Sequence, residues 1–185
     1  MLINKGDDIA FVDRVVNDDK AAGRMAAELL IENGARRPAV MAAPHVSYSA
    51  RRRQDAFVAH CAVLGVKPDI LAIAINDYHA GFEAAGAIAG TNIDGIFCVN
   101  DYLACGVVDR LATDQVHRKT GPIAVIGHDN IPQASWHGYQ LTTFAQPCDV
   151  QAETAITLLE SRMEDPAAVA RVQFTPVSLI RRRTA

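Results

Sequence analysis

The sequence contains no uninterrupted apolar run of the roughly 18 residues that a helix needs to cross a bilayer. Its first residues lack the apolar segment and the small-residue cleavage site of a signal peptide. A basic excess is also missing: the formal net charge is -3 and the isoelectric point is about 6.0. This segment therefore lacks the positive footprint of a nucleic-acid-binding domain. These absences predict a cytoplasmic chain that contacts no membrane.

Signatures of enzymes and metal sites are missing as well. No Gly-x-Ser-x-Gly elbow, phosphate-cradling glycine loop or dinucleotide fingerprint occurs in the sequence. The six histidines show no metal-ligand spacing, and the four cysteines form no Cys-x-x-Cys pair. Neither a zinc site nor a disulfide framework is therefore expected. We predict a protein that is not an enzyme, with no metal and no cofactor.

What the sequence does contain is a repeated alternation of amphipathic helices and short apolar strands. Half of its residues are hydrophobic, and 185 residues suit one domain, or one domain with part of a second. Strands joined by helices predict an α/β fold, a parallel sheet with helices on both faces. Strands are predicted at 9–16, 38–43, 70–75, 96–99, 123–126, 141–146 and 172–180, and helices at 17–34, 50–64, 79–89, 100–111 and 148–164.

Polar residues follow two of these strands directly. The strand at 96–99 runs into Asn100-Asp101, and the strand at 123–126 runs through Gly127 into His128-Asp129. In parallel α/β sheets, ligands bind beyond the carboxyl ends of the strands. The sequence therefore predicts a small-molecule pocket at that end of the sheet.

Seven segments, in order along nearly the whole chain, resemble motifs of the effector-binding domain of LacI/GalR transcriptional regulators, which has a periplasmic-binding-protein-like fold of type I. The segments are Val12-Asp13-Arg14, Asp18-Asp19 with Gly23 and Gly34, Ser49 to Arg53 with Phe57, Asn100-Asp101 with Ala104 and Gly106, Val125 to Asn130, Leu141-Thr142-Thr143 with Gln146-Pro147, and Thr175-Pro176 with Leu179, Ile180 and Arg182. The sequence also departs from the family: Ala35 replaces a histidine, Ala56 a glycine and His128 an aromatic residue.

The resemblance implies a division of the chain into parts of two subdomains. Residues 1–16 would be a remnant of the amino-terminal subdomain, and residues 17–143 the carboxyl-terminal effector-binding subdomain. Residues 144–170 would hold the crossover and a helix of the amino-terminal subdomain. Residues 171–185 would be a final strand returning to the carboxyl-terminal subdomain and a basic tail. The family's helix-turn-helix and most of its amino-terminal subdomain are expected to be absent, so the chain reads as truncated at its N-terminus.

The resemblance further implies that Asp13, Arg53, Asn100 and Asp129 contact the effector. Their chemistry suits a polyhydroxy ligand, because a carboxylate accepts hydroxyl hydrogens and a guanidinium donates a planar pair. Two ordinary alternatives stay open: Arg53 could belong to a solvated run of arginines, and Asp129 could be a turn residue without a ligand. We expect Asp101 to be mainly a helix cap while Asn100 faces the pocket.

Two further residues are candidates from their positions after strands and in a polar loop. Tyr78 follows a strand end, where its ring would lie against a sugar, although a half-buried surface aromatic is an equal alternative. Ser49 would add a weaker contact. The predicted effector-binding set is therefore Asp13, Ser49, Arg53, Tyr78, Asn100 and Asp129.

These observations lead to one functional hypothesis and two alternatives. The hypothesis is the sensing domain of a LacI-type regulator that binds a small effector, first a sugar and second a nucleobase. By resemblance it would be a homodimer, and would reach operator DNA only through the missing helix-turn-helix. The alternatives are a sugar-binding receptor of the periplasmic type, and an incomplete fragment without ligand affinity whose helix at 148–164 has lost its sheet.

Overall fold

The computed structural model describes residues 1–5, 11–43, 45, 47–114, 117–118 and 121–185. The strands, in chain order, are β1 (Leu2–Ile3), β2 (Arg14–Asn17), β3 (Pro38–Ala42), β4 (Asp69–Ala72), β5 (Gly95–Cys98), β6 (His117–Arg118), β7 (Gly121–Pro122), β8 (Ala124–Ile126), β9 (Thr143–Ala145), β10 (Val172–Thr175) and β11 (Ser178–Ile180). The α-helices are α1 (Asp19–Glu32), α2 (Tyr48–Val63), α3 (Tyr78–Gly86), α4 (Asp101–Thr113) and α5 (Cys148–Glu164). None of the described helices is long and apolar enough to cross a membrane.

The larger sheet has four parallel strands in the order β4-β3-β5-β8. The connection through α2 leads from β3 to β4 at one edge of the sheet, and the connection through α4 leads from β5 to β8 at the opposite edge. Because such crossovers are right-handed, they place their helices on opposite faces. The helices pair accordingly, α1 with α2 and α3 with α4. The predicted α/β fold with a doubly covered parallel sheet is confirmed.

The core lies between this sheet and its helices. All residues of β3 and β5 are buried, as expected for strands covered on both faces. Phe57 of α2 stacks on Phe97 of β5 with ring centroids 5.5 Å apart, and Phe144 of β9 meets Phe97 edge-on at 6.3 Å. These aromatic contacts join the helix layer, the sheet and the crossover strand into one packed unit.

Polar residues at the helix ends fix where the helices begin. Asp18 caps α1 by accepting a hydrogen bond from the Ala21 amide at 2.9 Å, and Asn100 caps α4 through the Leu103 amide at 2.8 Å. Side-chain caps of this kind typically contribute about 1 kcal/mol. The prediction that Asp101 caps α4 was wrong. Asn100 takes that role because it is the residue before the first helical turn.

Glycines let the paired helices approach at backbone distance. A Cβ atom on Gly23 of α1 would lie 2.4 Å from the carbonyl oxygen of Arg53 on α2. On the other face, a Cβ on Gly106 of α4 would lie 2.1 Å from the carbonyl oxygen of Tyr78 on α3. Each contact is closer than any side chain permits. The spacing of both helix pairs therefore depends on glycine.

A smaller sheet, of parallel strands in the order β1-β2-β10, lies against α5. Val15 of β2 packs with Ala155 and Leu158 of α5 in a second, small core. Helix α5 therefore has a sheet on this side, whereas three apolar side chains of the same helix, Ile156, Leu159 and Met163, are exposed, as the alternative of a lost partner leads one to expect. The predicted final strand also divides: β10 belongs to this smaller sheet, and only β11 returns to pair with β9.

Candidate functional site

A cavity of about 320 Å³ opens where the chain connections of the larger sheet diverge. The helix after β3 leads to β4, whereas the helix after β5 leads to β8, so a crevice forms between the carboxyl ends of β3 and β5. Ligands of open α/β sheets bind at this switch point. The lining residues are Asn4, Ser47, Ser49, Ala50, Arg53, Ile75, Asn76, Val99, Asn100, Asp129 and Gln146.

Arg53 is the positive group of this cavity, and its side chain is 8 % exposed. Its Nε donates to Asp19 Oδ1 at 2.7 Å, and its Nη1 donates to the carbonyl oxygen of Val99 at 2.7 Å. A guanidinium carries five N–H donors, so these two bonds leave others for a ligand. The buried ion pair with Asp19 fixes the plane of the guanidinium at the cavity wall.

Asp129 is the negative group, and one of its oxygens is already engaged. Its Oδ1 accepts from Gln146 Nε2 at 2.5 Å, and it lies 3.0 Å from His128 Nδ1 and 3.9 Å from Arg53 Nη1. These contacts leave Oδ2 as the second acceptor of the carboxylate. Asp129 has a φ of 120° and Asn130 a φ of 52°, both rare for residues other than glycine. Strain of this kind concentrates at functional sites.

His128 is fully buried beside Asp129, at the position where the resemblance leads one to expect an aromatic residue. Its ring packs against Phe144 with centroids 6.0 Å apart, so it fills the space of an aromatic side chain. Burial lowers the pKa of His128, and the Arg53 guanidinium lowers it further, although Asp129 acts in the opposite direction. The neutral ring, with its hydrogen on Nδ1, can therefore donate to Asp129 Oδ1.

Asn100 and Asn76 tie together two loops at the rim. Asn100 Nδ2 donates to the carbonyl oxygen of Asn76 at 2.9 Å, while Asn76 Oδ1 accepts from the Ala43 amide at 2.6 Å. Each amide oxygen and nitrogen can form a second hydrogen bond, so Asn100 keeps one donor and one acceptor for a ligand. Ser49 also lines the cavity, and its hydroxyl oxygen is buried without a hydrogen-bond partner among the described residues.

Four of the six predicted residues thus share the cavity, together with polar residues that the prediction did not include. Asn76 could have been found, since it follows a strand just as Asn100 does. Gln146 lies in one of the motifs but carried no assigned role. Asn4 gave no signal, because β1 has only two residues. Asn4 and Gln146 belong to the smaller sheet and the crossover, so the cavity is walled by both parts of the fold.

Asp13 does not lie at this cavity, which corrects the prediction. It precedes β2, at the amino end of the strand, whereas the cavity residues meet the carboxyl ends. Its carboxylate is buried and accepts two hydrogen bonds from Arg162 of α5, both at 3.0 Å, and one from the Arg171 amide at 2.8 Å. Asp13 therefore fastens α5 to the smaller sheet.

This ion pair makes a testable electrostatic prediction. The hydrogen bonds from Arg162 lower the pKa of Asp13 from 3.8 to about 2 although burial opposes them. The stabilisation is therefore present above pH 3.8 and is lost as the pH falls toward 2. Arg162→Gln should raise the pKa of Asp13 toward 3.8, measured by carboxyl ¹³C NMR. Arg24→Gln, in an exposed pair with Glu28, is the control and should leave it unchanged; an unmoved Asp13 pKa in Arg162→Gln would contradict the assignment.

Tyr78 is the second residue that the prediction misplaced. Its hydroxyl donates to Asp109 Oδ2 on α4 at 2.7 Å, and its ring stacks near Phe82 with centroids 6.3 Å apart. The first turn of α3 directs the side chain toward α4, which Gly106 brings close. Tyr78 is thus a packing residue between helices. Among the residues that the structure describes, no aromatic ring lines the cavity.

The site suits a ligand that carries no negative charge and is not held through a metal ion. Arg53 lies between two carboxylates, Asp19 at 2.7 Å and Asp129 at 3.9 Å, so its charge is matched within the protein. Across the described ranges, no group of three or more histidine, cysteine, aspartate or glutamate side chains is placed to hold a metal ion. What the cavity offers is a dense set of hydrogen-bond donors and acceptors.

Comparison with known proteins places this geometry in a family. The profile of the periplasmic binding protein-like domain matches residues 27–185. The chain belongs to the periplasmic binding protein-like domain family. A ribose operon repressor from Escherichia coli K12 is 30% identical over 174 residues, which cover 91% of this chain and 52% of that protein. A HTH-type transcriptional repressor PurR from Pasteurella multocida is 24% identical over 98% of this chain and 56% of its own length.

Solved structures of the family agree with these relatives. A LacI family transcriptional regulator from Enterococcus faecalis V583, crystallised with bound ribose, superposes with a TM-score of 0.86 and 29% identity, over 99% of this chain and 67% of that one. The Lac repressor bound to ONPG gives 0.86 at 22% identity, over all of this chain and 56% of that one, a likeness of fold alone. The resemblance to LacI-type regulators is confirmed. These relatives are transcriptional regulators rather than enzymes, and the chain spans about half the length of the curated ones.

Proposed function

We propose that this chain is the effector-sensing part of a LacI-type transcriptional regulator and binds a small neutral sugar in the cavity between β3 and β5. The observation that carries the proposal is the convergence of Ser49, Arg53, Asn100 and Asp129 on that one cavity. These side chains come from three separate connections of the sheet: Ser49 and Arg53 follow β3, Asn100 follows β5, and Asp129 follows β8. Their meeting at the switch point supports a ligand site rather than four unrelated surface roles.

The hydrogen-bonding capacity of the cavity favours a polyol. Asp129 Oδ2 accepts from a hydroxyl group, the unused N–H groups of Arg53 donate to hydroxyl oxygens, and Asn100 can do both. A sugar carries donors and acceptors on every hydroxyl, so it satisfies such a mixed set. The bound ribose in the Enterococcus faecalis relative and the name of the Escherichia coli repressor make D-ribose the first sugar to test.

The same features argue against the second candidate effector, a nucleobase. Planar bases are usually held by stacking, and the described lining offers no aromatic ring. A phosphorylated sugar is also disfavoured. Its negative charge would meet Asp129 without a cation to match it, because Arg53 is already paired with Asp19.

Ligand binding can act on the arrangement of the whole fold, because the cavity residues come from both of its parts. Arg53, Asn100 and Asp129 belong to the larger sheet and its loops, whereas Asn4 and Gln146 come from the smaller sheet and the crossover. A ligand that bonds both sets holds the two parts together, and it shifts an equilibrium between open and closed arrangements by its differential affinity for them. We propose that in the whole regulator this shift is passed to a homodimer and to operator DNA through a separate DNA-binding head.

Calorimetry on the 185-residue protein tests the proposal. D-ribose should bind, D-ribose 5-phosphate should bind at least about tenfold more weakly because of the added charge, and guanine should not bind. Sucrose, which is larger than a monosaccharide, serves as the size control. Binding of guanine but not of any sugar would contradict the proposed effector class, and binding of none of them would contradict a sensor for these ligands.

A further inference from the structure

Residues 181–185, the basic tail predicted from the sequence, run along the sheet as a strap. The amide of Val125 donates to the carbonyl oxygen of Thr184 at 2.9 Å, which extends the pairing of β8 outward. The amide of Thr142 donates to Thr184 Oγ1 at 2.8 Å, and the amide of Arg182 donates to Thr142 Oγ1 at 2.8 Å. The strap therefore lies along β8 and the segment that leads into β9.

The guanidinium of Arg182 bridges two segments that meet beside the cavity. Its Nη1 donates to the carbonyl oxygen of Leu141 at 2.7 Å, and its Nη2 donates to Asn130 Oδ1 at 2.9 Å. Asn130 follows Asp129 directly, and Leu141 precedes the crossover that carries Gln146. One side chain thus joins the turn that bears Asp129 to the crossover.

The turn at 129–130 needs such support because its backbone is strained. Two consecutive residues other than glycine adopt positive φ, 120° at Asp129 and 52° at Asn130. Conformations of this kind persist only where surrounding contacts over-determine them. The amides of Asp129 and Ile131 hold the ends of the turn, donating to Phe144 O and to Asp101 Oδ2, both at 2.9 Å. In the middle, the Asn130 amide donates a longer bond to Thr143 Oγ1 at 3.4 Å, and the Asn130 side chain is held by Arg182.

We propose that Arg182 is a positioning residue of the effector site. It holds the 129–130 turn in its left-handed conformation, and so directs the Asp129 carboxylate into the cavity. This inference rests on the proposed function, because the carboxylate that Arg182 positions is the one proposed to bind the effector. The placement of the turn itself is independent of which ligand binds.

Arg182→Met tests the proposal, because it keeps the aliphatic stem and removes every hydrogen-bond donor of the side chain. Amide hydrogen exchange at Asp129 and Ile131 should become at least about tenfold faster, while amides in the middle of α1 stay unchanged. Arg182→Lys, which retains one donor group, should restore part of the protection. Arg181→Met is the matched control, since the Arg181 side chain is 61% exposed, pairs with Glu32 at 3.8 Å and does not line the cavity.

The two proposals can fail separately. Unchanged exchange at Asp129 and Ile131 in Arg182→Met would overturn the positioning role whether or not D-ribose binds. Equal acceleration throughout the protein would overturn it too, because it would indicate a general loss of stability. If the parent protein binds D-ribose, Arg182→Met should weaken that binding about tenfold, and unchanged affinity would overturn the role. If Arg182→Met does not fold, Arg182→Lys replaces it in the same comparison.

Discussion

Asp129→Asn is expected to weaken D-ribose binding by about 10- to 100-fold, the effect of losing a hydrogen bond to a charged acceptor, ~1.5–3 kcal/mol. Asparagine suits this position because it tolerates the left-handed backbone that Asp129 adopts at φ 120°. Its amide oxygen must face the donors Gln146 Nε2 and His128 Nδ1. The amide nitrogen then occupies the place of Oδ2, and a donor replaces the acceptor offered to the ligand.

Asp129→Ala is expected to abolish measurable binding, since both oxygens are lost and alanine fits the strained backbone poorly. The matched control is Asp55→Asn on α2, where an exposed carboxylate outside the cavity lining loses the same charge. Titration calorimetry with D-ribose measures all three variants. An unchanged affinity in both Asp129 variants, with Asp55→Asn also unchanged, would remove Asp129 from the binding site.

The sequence was most informative where the position of a residue in the fold follows from chain order. Apolar strands alternating with helices predicted the parallel sheet, and the residues directly after the strands, Asn100 and Asp129, lie at the cavity. This works because the carboxyl ends of parallel strands share one edge, so position along the chain gives position in space. Asp101 shows where the rule stops. It neighbours Asn100 but is fully buried, and burial raises its pKa to about 6 although Thr143 and Ile131 donate to it.

Asp13 and Tyr78 were misplaced because their positions depend on details beyond chain order. The resemblance implied that Asp13 contacts the effector, but β2 begins one residue after it, which puts the carboxylate at the opposite end of the sheet. Tyr78 follows its strand as expected, yet it lies in the first turn of α3, which points its ring at Asp109 of α4. Neither the exact start of a short strand nor the rotation of a helix can be read from an apolar pattern.

Gly23→Ala is expected to cost about 2 kcal/mol of unfolding free energy, even though alanine favours a helix by ~1 kcal/mol over glycine. The added Cβ would lie 2.4 Å from the Arg53 carbonyl oxygen and 2.8 Å from the Phe57 amide nitrogen, and backbone atoms cannot rotate away. Helix α2 must therefore move, and Arg53 with it. Urea denaturation measures the stability, and D-ribose titration should show a parallel loss of affinity.

Gly86→Ala is the matched control, because it also adds a methyl group to a helical glycine. The three atoms nearest to its Cβ all belong to the guanidinium of Arg110, with Nη2 at 2.4 Å, and this flexible end can swing aside. That variant should change stability by less than ~1 kcal/mol and leave ligand affinity intact. If the two variants lost stability equally, the close approach of α1 and α2 at Gly23 would not be what fixes Arg53. If Gly23→Ala lost stability but kept full affinity, Arg53 would have to be held by its ion pair with Asp19 rather than by the placement of α2.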